Sequence, residues 1–490
     1  MWSGSGGRVH FHDPASTWKR KFIKRQPQHV YSQQDEQRLK FDPRTTDALV
    51  FEFLKTRGTR LDPSDSPQGN LRIQYAALGE YMRLAKLEDL ETGSPTTITG
   101  NDVAMMNDRK DIEGSNSWPR AWDSEGPRGY MNYPTPGEHV VNEIYNMHDF
   151  FQKLRENRQD NGAEKRNIYT ANVTPTCMIA IASTAPDVMA PALRSFFHRH
   201  LLARALFRSS LSSLSPRYAL EFHIPYFALR RGAHNEDRRR FRNGLLRKSR
   251  PLPLARNEDE RNEMYHEAQT SFLVTGVDEW LWTSYCFVDT FYGSEPDERT
   301  YIDGGIDPAS GGSIWVEFPI WNPRQYYLMV FARRMMQSTR EWGALINVFE
   351  ERMAPYEEST IVEFFDDEHL TRTRELTVTI STIRKFRDCI RRTVAAWENF
   401  ETNDLPCFEV SGSDEYKETW REYISDVRGH VDDLRSMHLS LHQKFDLFNG
   451  LKDGIVSAST LKESGITREL GRSAAAQNIQ IATLTRMTVV

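Results

Sequence analysis

Apolar residues recur in two different rhythms along this chain. Near the C-terminal end, Trp420, Ile424, Val427, Val431, Leu434, His438, Leu441, Phe445 and Phe448 alternate in steps of four and three. That is a heptad seam, and it predicts a helix of 29 residues, roughly 43 Å long. A second seam comprises Leu376, Ile380, Ile383, Ile390, Val394 and Trp397, interrupted by Arg387. A third comprises Phe331, Met335, Trp342, Leu345 and Phe349. A helix cannot cover its own apolar stripe, so the three predict a bundle, or pairing with other copies of the chain. Pro323 suits a first helical turn. Gly450, Gly454, Ser457 and Gly465 predict a turn, followed by a last helix from about Ile466.

The middle of the chain has a shorter rhythm. RNIYTANV from Arg166 and YALEFHIPYFAL from Tyr218 are strand-like, with Pro225 suggesting an edge or a bulge. AQTSFLVTGVDEWLWTSYCFVDTFY from Ala268 predicts two strands turning near Val277-Asp278-Glu279. APALRSFFHRHLLARALF from Ala190 has helical spacing. Before residue 160, helical patterns cover Thr45–Gly58 and Ile73–Leu90, and Gly93–Gly137 has the composition of a linker. The expected architecture is α/β: a mixed sheet with helices, followed by a long-helix bundle or stalk. The expected divisions are a loosely organised, linker-rich 1–160, an α/β domain at 161–322 and a helical stalk at 323–490.

Composition adds little to this picture. Of 490 residues, 39% are hydrophobic and 11% aromatic, enough for a sizeable core. The net charge of −5 gives no argument for a nucleic-acid partner, and none is expected. Cys177, Cys286, Cys389 and Cys407 are scattered, which fits free thiols in a reducing compartment rather than a thiolate zinc site. The first residues are too polar for a signal peptide. The longest uncharged run, Asn167 to Pro186, holds Pro175 and many Ser and Thr, and reads as core rather than a membrane span. The basic segments Trp18–Arg25 and Arg230–Arg250, the latter with nine Lys and Arg, read as solvated runs.

No catalytic pattern emerges, and the chain is not expected to be an enzyme. Gly4–Gly7 lacks the strand and the Lys-Ser/Thr of a phosphate loop, HEAQT at His266 lacks a second histidine, and no Gly-x-Ser-x-Gly occurs. His10/His12 and His198/His200 are the closest histidine pairs. His438, His442 and Asp446 repeat every four residues, so they line one helix stripe and carry donors suited to zinc. Asp366 and Asp367, and Asp432 and Asp433, are carboxylate pairs of the kind that attract hard cations such as magnesium.

The last stretch, AAAQNIQIATLTRMTVV, resembles the segment of fungal CorA-like divalent-cation transport proteins that leads into their first membrane helix. MIAIASTAPDVMAPALRSFFHRHL, LEFHIPYFALR, WLWTSYCFVDTFY and FPIWNPRQYYLMVFARRM resemble the same family in order, so the likeness covers roughly 165–490. It implies a cytosolic α/β base feeding a stalk, five subunits around a pore, two membrane helices, a Gly-Met-Asn filter, and magnesium or zinc as cargo. Neither span nor Gly-Met-Asn is in this sequence, so no filter residue is carried over. The expectation is a cytosolic portion that assembles and regulates a divalent-cation pore, with Arg486 near the headgroup level. The intact protein would be a membrane protein, whereas this portion alone would be cytoplasmic. The alternative is a soluble coiled-coil scaffold of the same descent.

Overall fold

The computed structural model describes residues 14–26, 45–55, 75–93, 103–109, 140–156, 158, 163–211, 217–232, 236–242, 244–316, 319–362, 366–408 and 414–488. The helices are α1 (Pro14–Lys21), α2 (Thr46–Lys55), α3 (Ala76–Met82), α4 (Leu87–Thr92), α5 (Met147–Arg155), α6 (Pro175–Thr184), α7 (Ala190–Leu201), α8 (Glu258–Arg261), α9 (Glu298–Asp303), α10 (Pro323–Val362), α11 (Thr371–Asn403) and α12 (Asp414–Thr488). The strands are β1 (Val103–Arg109), β2 (Val140–Asn146), β3 (Lys165–Ala171), β4 (Leu206–Leu211), β5 (Tyr218–Arg231), β6 (Arg240–Phe241), β7 (Gly244–Leu245), β8 (Ser249–Pro251), β9 (Glu263–Gly276) and β10 (Trp282–Val288).

One mixed sheet runs β2-β1-β3-β10-β9-β5-β4, with β8 also on β9. Among the described strands only β3 and β10 are parallel; their side-by-side register pairs Ile168 with Tyr285. The hairpin expected near Val277 is β9–β10, closing from Gly276 opposite Trp282. Pro225 lies in β5 beyond His223, the last residue that β4 covers, so its missing N–H costs no ladder bond. The Sγ of Cys389 on α11 lies 3.5 Å from the Pro225 carbonyl over this edge. All four cysteines are free.

Both faces of the sheet are covered, so its strands are apolar on both sides. Met105, Tyr169, Phe222, Phe272 and Cys286 face the long helices in one core that continues to Ile455. Met106, Ile168, Leu273, Tyr285 and Phe287 face α2, α3 and α5–α7 in a second core.

Four expectations change here. The boundary at residue 161 falls inside the sheet, because β1 pairs with both β2 and β3. Part of the supposed linker, Val103–Arg109, is therefore a buried strand; its alternation is too short to stand out among polar neighbours. The glycine-marked turn near Gly454 is absent, and α12 runs unbroken from Asp414 to Thr488. Each glycine costs a helix about 1 kcal/mol, but with no proline none of them ends it. The basic segment Arg230–Arg250 is not simply solvated, since Arg239 and Arg247 are buried.

Candidate functional site: the stalk and the buried charge networks

α10, α11 and α12 pack side by side along the three seams. Phe331, Met335, Trp342, Leu345 and Phe349 are all buried, as are Trp420, Val427, Val431, Leu434, Leu441 and Phe448. Where Arg387 interrupts the second seam, Phe386 takes the buried position and Arg387 stacks on Phe445, 4.3 Å from the ring centre. Packing along α12 stops at Ile455. From residue 460 to 482 every residue is exposed, including Leu461, Ile466, Leu470, Ile479 and Ile481. The part beyond Ile455 extends about 50 Å at 1.5 Å per residue.

The aspartates singled out in the sequence have local partners. Asp366 accepts the backbone N–H groups of Asp367, Arg372 and Thr373, at 2.9–3.0 Å. Asp367 accepts those of His369 and Thr371. The pair caps the N-terminus of α11, where orphan N–H groups demand acceptors. Burial raises the Asp366 pKa, but its bonds to Thr373, Arg372 and Asp367 together outweigh that and hold the carboxyl below its usual range, and the bonds to Thr371 do the same for Asp367. Asp432 pairs with Arg435 at 2.7 Å, and Asp433 with His430 at 3.8 Å.

His438 is half-buried in the seam, and burial followed by the nearby Arg387 lowers its pKa. Its Nε2 has no hydrogen-bond partner. His442 instead turns to Arg387 (Nδ1 to Nη1 3.3 Å) and to Asp446 (Nε2 to Oδ2 3.7 Å). Among the described residues no three His, Cys, Asp or Glu side chains gather as a cation site. His10 and His12 lie outside the described residues. His198 and His200 diverge as helical spacing requires: burial lowers the pKa of His198 to about 4, and His200 enters the network below.

That network was not apparent from sequence. Asp289, at the end of β10, is fully buried and accepts from Arg239 Nη2 at 2.8 Å, Arg247 Nε at 2.6 Å and the Gln269 N–H at 2.9 Å. Asp237 accepts from Arg239 Nε at 2.8 Å and Nη2 at 3.0 Å. Burial raises the pKa of Asp289, but Arg247 and Arg239 outweigh it and hold the carboxyl well below its usual range. Two buried arginines therefore fasten the basic segment to the sheet.

Beside it, Ser271 Oγ lies 2.8 Å from Nδ1 of both His200 and His223. His223 Nε2 is 2.8 Å from Glu221, which can only accept, so Nε2 carries the proton and Nδ1 is an acceptor, facing Ser271 Oγ and, at 3.1 Å, Gln269 Nε2. Ser271 Oγ accepts from Gln269 Nε2 at 2.8 Å, which leaves its own proton for Nδ1 of either imidazole. His200 Nε2 has no hydrogen-bond partner and lies 3.8 Å from Asp289. Burial pushes both histidine pKa values down, so both imidazoles are neutral. The arrangement has the residue types of a hydrolytic triad, but Ser271 is completely buried and no substrate can reach it. No signal in one sequence links positions 200, 221, 223 and 271.

No family model and no curated protein matches the chain. Among solved structures, the soluble domain of CorA from Methanocaldococcus jannaschii is similar at 9% identity, covering 61% of this chain and 90% of that one, with a TM-score of 0.32. The complete CorA magnesium transporter from the same organism is 10% identical, covering 75% of this chain and 80% of that one, with a TM-score of 0.33. Likeness at this level decides neither family nor function. Among the described residues no helix is long and apolar enough to cross a membrane.

Proposed function

We propose that this chain is the base and helical stalk of a CorA-like divalent-cation transport protein, moving magnesium or zinc as part of a homo-oligomer. The observation that carries it is α12. Its first half is seamed into a three-helix bundle, while its second half stands about 50 Å clear of the globule with five large aliphatic side chains bare. A helix so exposed needs an occupant for its apolar side, and a column of identical helices supplies one. The ordered stretches of sequence from 165 onward that resemble the family add to this. The role is structural and regulatory: the base sets the spacing of the stalks, and the stalks set the pore. No cation site is assigned to Asp366, Asp367, Asp432 or Asp433.

A second reading, a coiled-coil scaffold without transport, is favoured by the use of those aspartates as caps and ion pairs. One experiment separates the two. The transcript beyond codon 490 is sequenced, and the encoded protein is tested for magnesium and zinc uptake in vesicles. Two apolar runs of about 20 residues each, with uptake, support transport. A stop codon with no apolar coding, or two spans without uptake, overturns it and leaves the scaffold.

A further inference from the structure

A small cavity lies between the sheet and the loop that follows α9, beside the start of α10. Asn107 on β1 and Asn167 on β3 are register partners, so their side chains stand side by side on one face of the sheet. Ser284 on β10 is opposite Asn167 and extends the same row. This polar row interrupts a face that is otherwise Met105, Tyr169, Phe272 and Cys286. Asp307, Pro308 and Ala309 close over it, leaving a space of about 10 Å³.

The hydrogen bonds around this space are incomplete. Asn107 Oδ1 accepts from Arg109 Nε, which fixes the amide orientation and turns Nδ2 to the other side. That Nδ2 has no acceptor, nor does Asn167 Nδ2. Both residues line the cavity and are more than nine-tenths buried, with relative exposures of 5% and 7%. Unmade bonds of this kind cost about 1–3 kcal/mol each, so native proteins rarely leave them. On the opposite wall stands Asp307, which accepts from Tyr326 Oη at 3.0 Å and from the Ser310 N–H at 2.9 Å.

The geometry points to a binding site for one buried water molecule, which accepts from Asn107 Nδ2 and the Asn167 amide and donates to Asp307. Size and charge select this ligand. A space of about 10 Å³ is roughly what one water requires, and nothing larger enters. An anion would meet the Asp307 carboxylate, and a cation would meet the fixed N–H of Asn107. Ser284 Oγ lies 2.6 Å from Asn167 Oδ1 and can donate or accept, so the Asn167 amide can present either end to the cavity. Only a molecule that both donates and accepts satisfies both orientations. The water would join β1, β3 and the 307–309 loop through atoms that do not reach one another directly.

The test is a crystal structure of the full chain at a resolution that shows ordered waters, with a parallel bromide soak. A single peak about 2.7–3.2 Å from Asn107 Nδ2, the Asn167 amide and an Asp307 oxygen, without anomalous signal, is expected. An empty cavity overturns the inference, and so does anomalous bromide density there. In solution, chain labelled with ¹⁵N-asparagine should show transfer from long-lived water to the Asn107 and Asn167 side-chain amides. Asn107→Leu should abolish that transfer at Asn167, and persistence of the transfer in this variant would equally overturn the site.

Discussion

Arg324, at the start of α10, stacks on Trp420 near the start of α12, its guanidinium carbon 4.8 Å from the indole centre. The same guanidinium lies 4.6 Å from Trp18 on α1, donates to Glu279 in the β9–β10 turn at 2.8 Å, and donates to the Cys407 carbonyl at 3.1 Å. Trp18 Nε1 donates to that same Glu279. One cation thus joins the N-terminal arm, the sheet and two stalk helices.

Arg324→Ala removes the cation stacked on two rings and leaves the partly buried Glu279 with Trp18 Nε1 as its remaining side-chain partner. The expected loss is about 3 kcal/mol, read as a lower thermal midpoint. Arg324→Lys should recover only part of it, because a lysine lacks the planar fork. Arg387→Ala, which removes a partly exposed stack on Phe445, should cost about 1 kcal/mol.

The Ser271 network predicts a specific proton arrangement. At neutral pH, ¹⁵N spectra should show His223 protonated on Nε2, the nitrogen that faces Glu221; a proton on Nδ1 instead would refute it. The pH dependence follows from the direction of the shifts. His198, His200 and His223 are lowered in the folded chain from an ordinary value of 6.5. Below that value the unfolded chain binds protons that the folded chain does not. The stability from neutral burial is therefore complete above 6.5 and is lost as pH falls toward the folded values, by up to about 1.4 kcal/mol per pH unit per histidine. Urea midpoints between pH 7 and 5 measure it, and His200→Gln should flatten the slope.

Asp366→Ala removes the acceptor for three N–H groups at the start of α11 and should cost about 1 kcal/mol. Magnesium should shift the melting of the wild type and this variant equally if Asp366 is a cap. A magnesium-dependent stabilisation lost only in the variant would make it a ligand.

Ile466→Glu with Leu470→Glu places charge on the bare part of α12 without touching the folded core. Sedimentation velocity should show at least tenfold weaker self-association, about 1.4 kcal/mol, with an unchanged thermal midpoint of the base. Equal sedimentation of both proteins at all concentrations would mean that this face does not join copies.

The long helices were legible because their seams repeat over many turns: from Phe331 to Phe349 and from Trp420 to Phe448, each predicted apolar position is buried or packed against the core. The β9–β10 hairpin was legible for a similar reason, as two apolar runs around a short polar turn. The β1 strand was not, because Val103–Arg109 is a polar-looking edge of linker sequence until β2 and β3 pair with it.

Periodicity and local chain stiffness are properties of neighbouring residues, so the sequence by itself determined which segments become helix or strand and which side of each is apolar. Where Asp289 meets Arg239 and Arg247, where Ser271 meets two histidines, and where Arg324 meets Trp18 and Trp420 depended on residues tens to hundreds of positions apart. Their charges are tolerated in the interior only because the tertiary fold brings each to its partner. The same packing decided that Asp366 and Asp367 cap a helix: the nearest donors are the backbone N–H groups that the fold leaves unpaired.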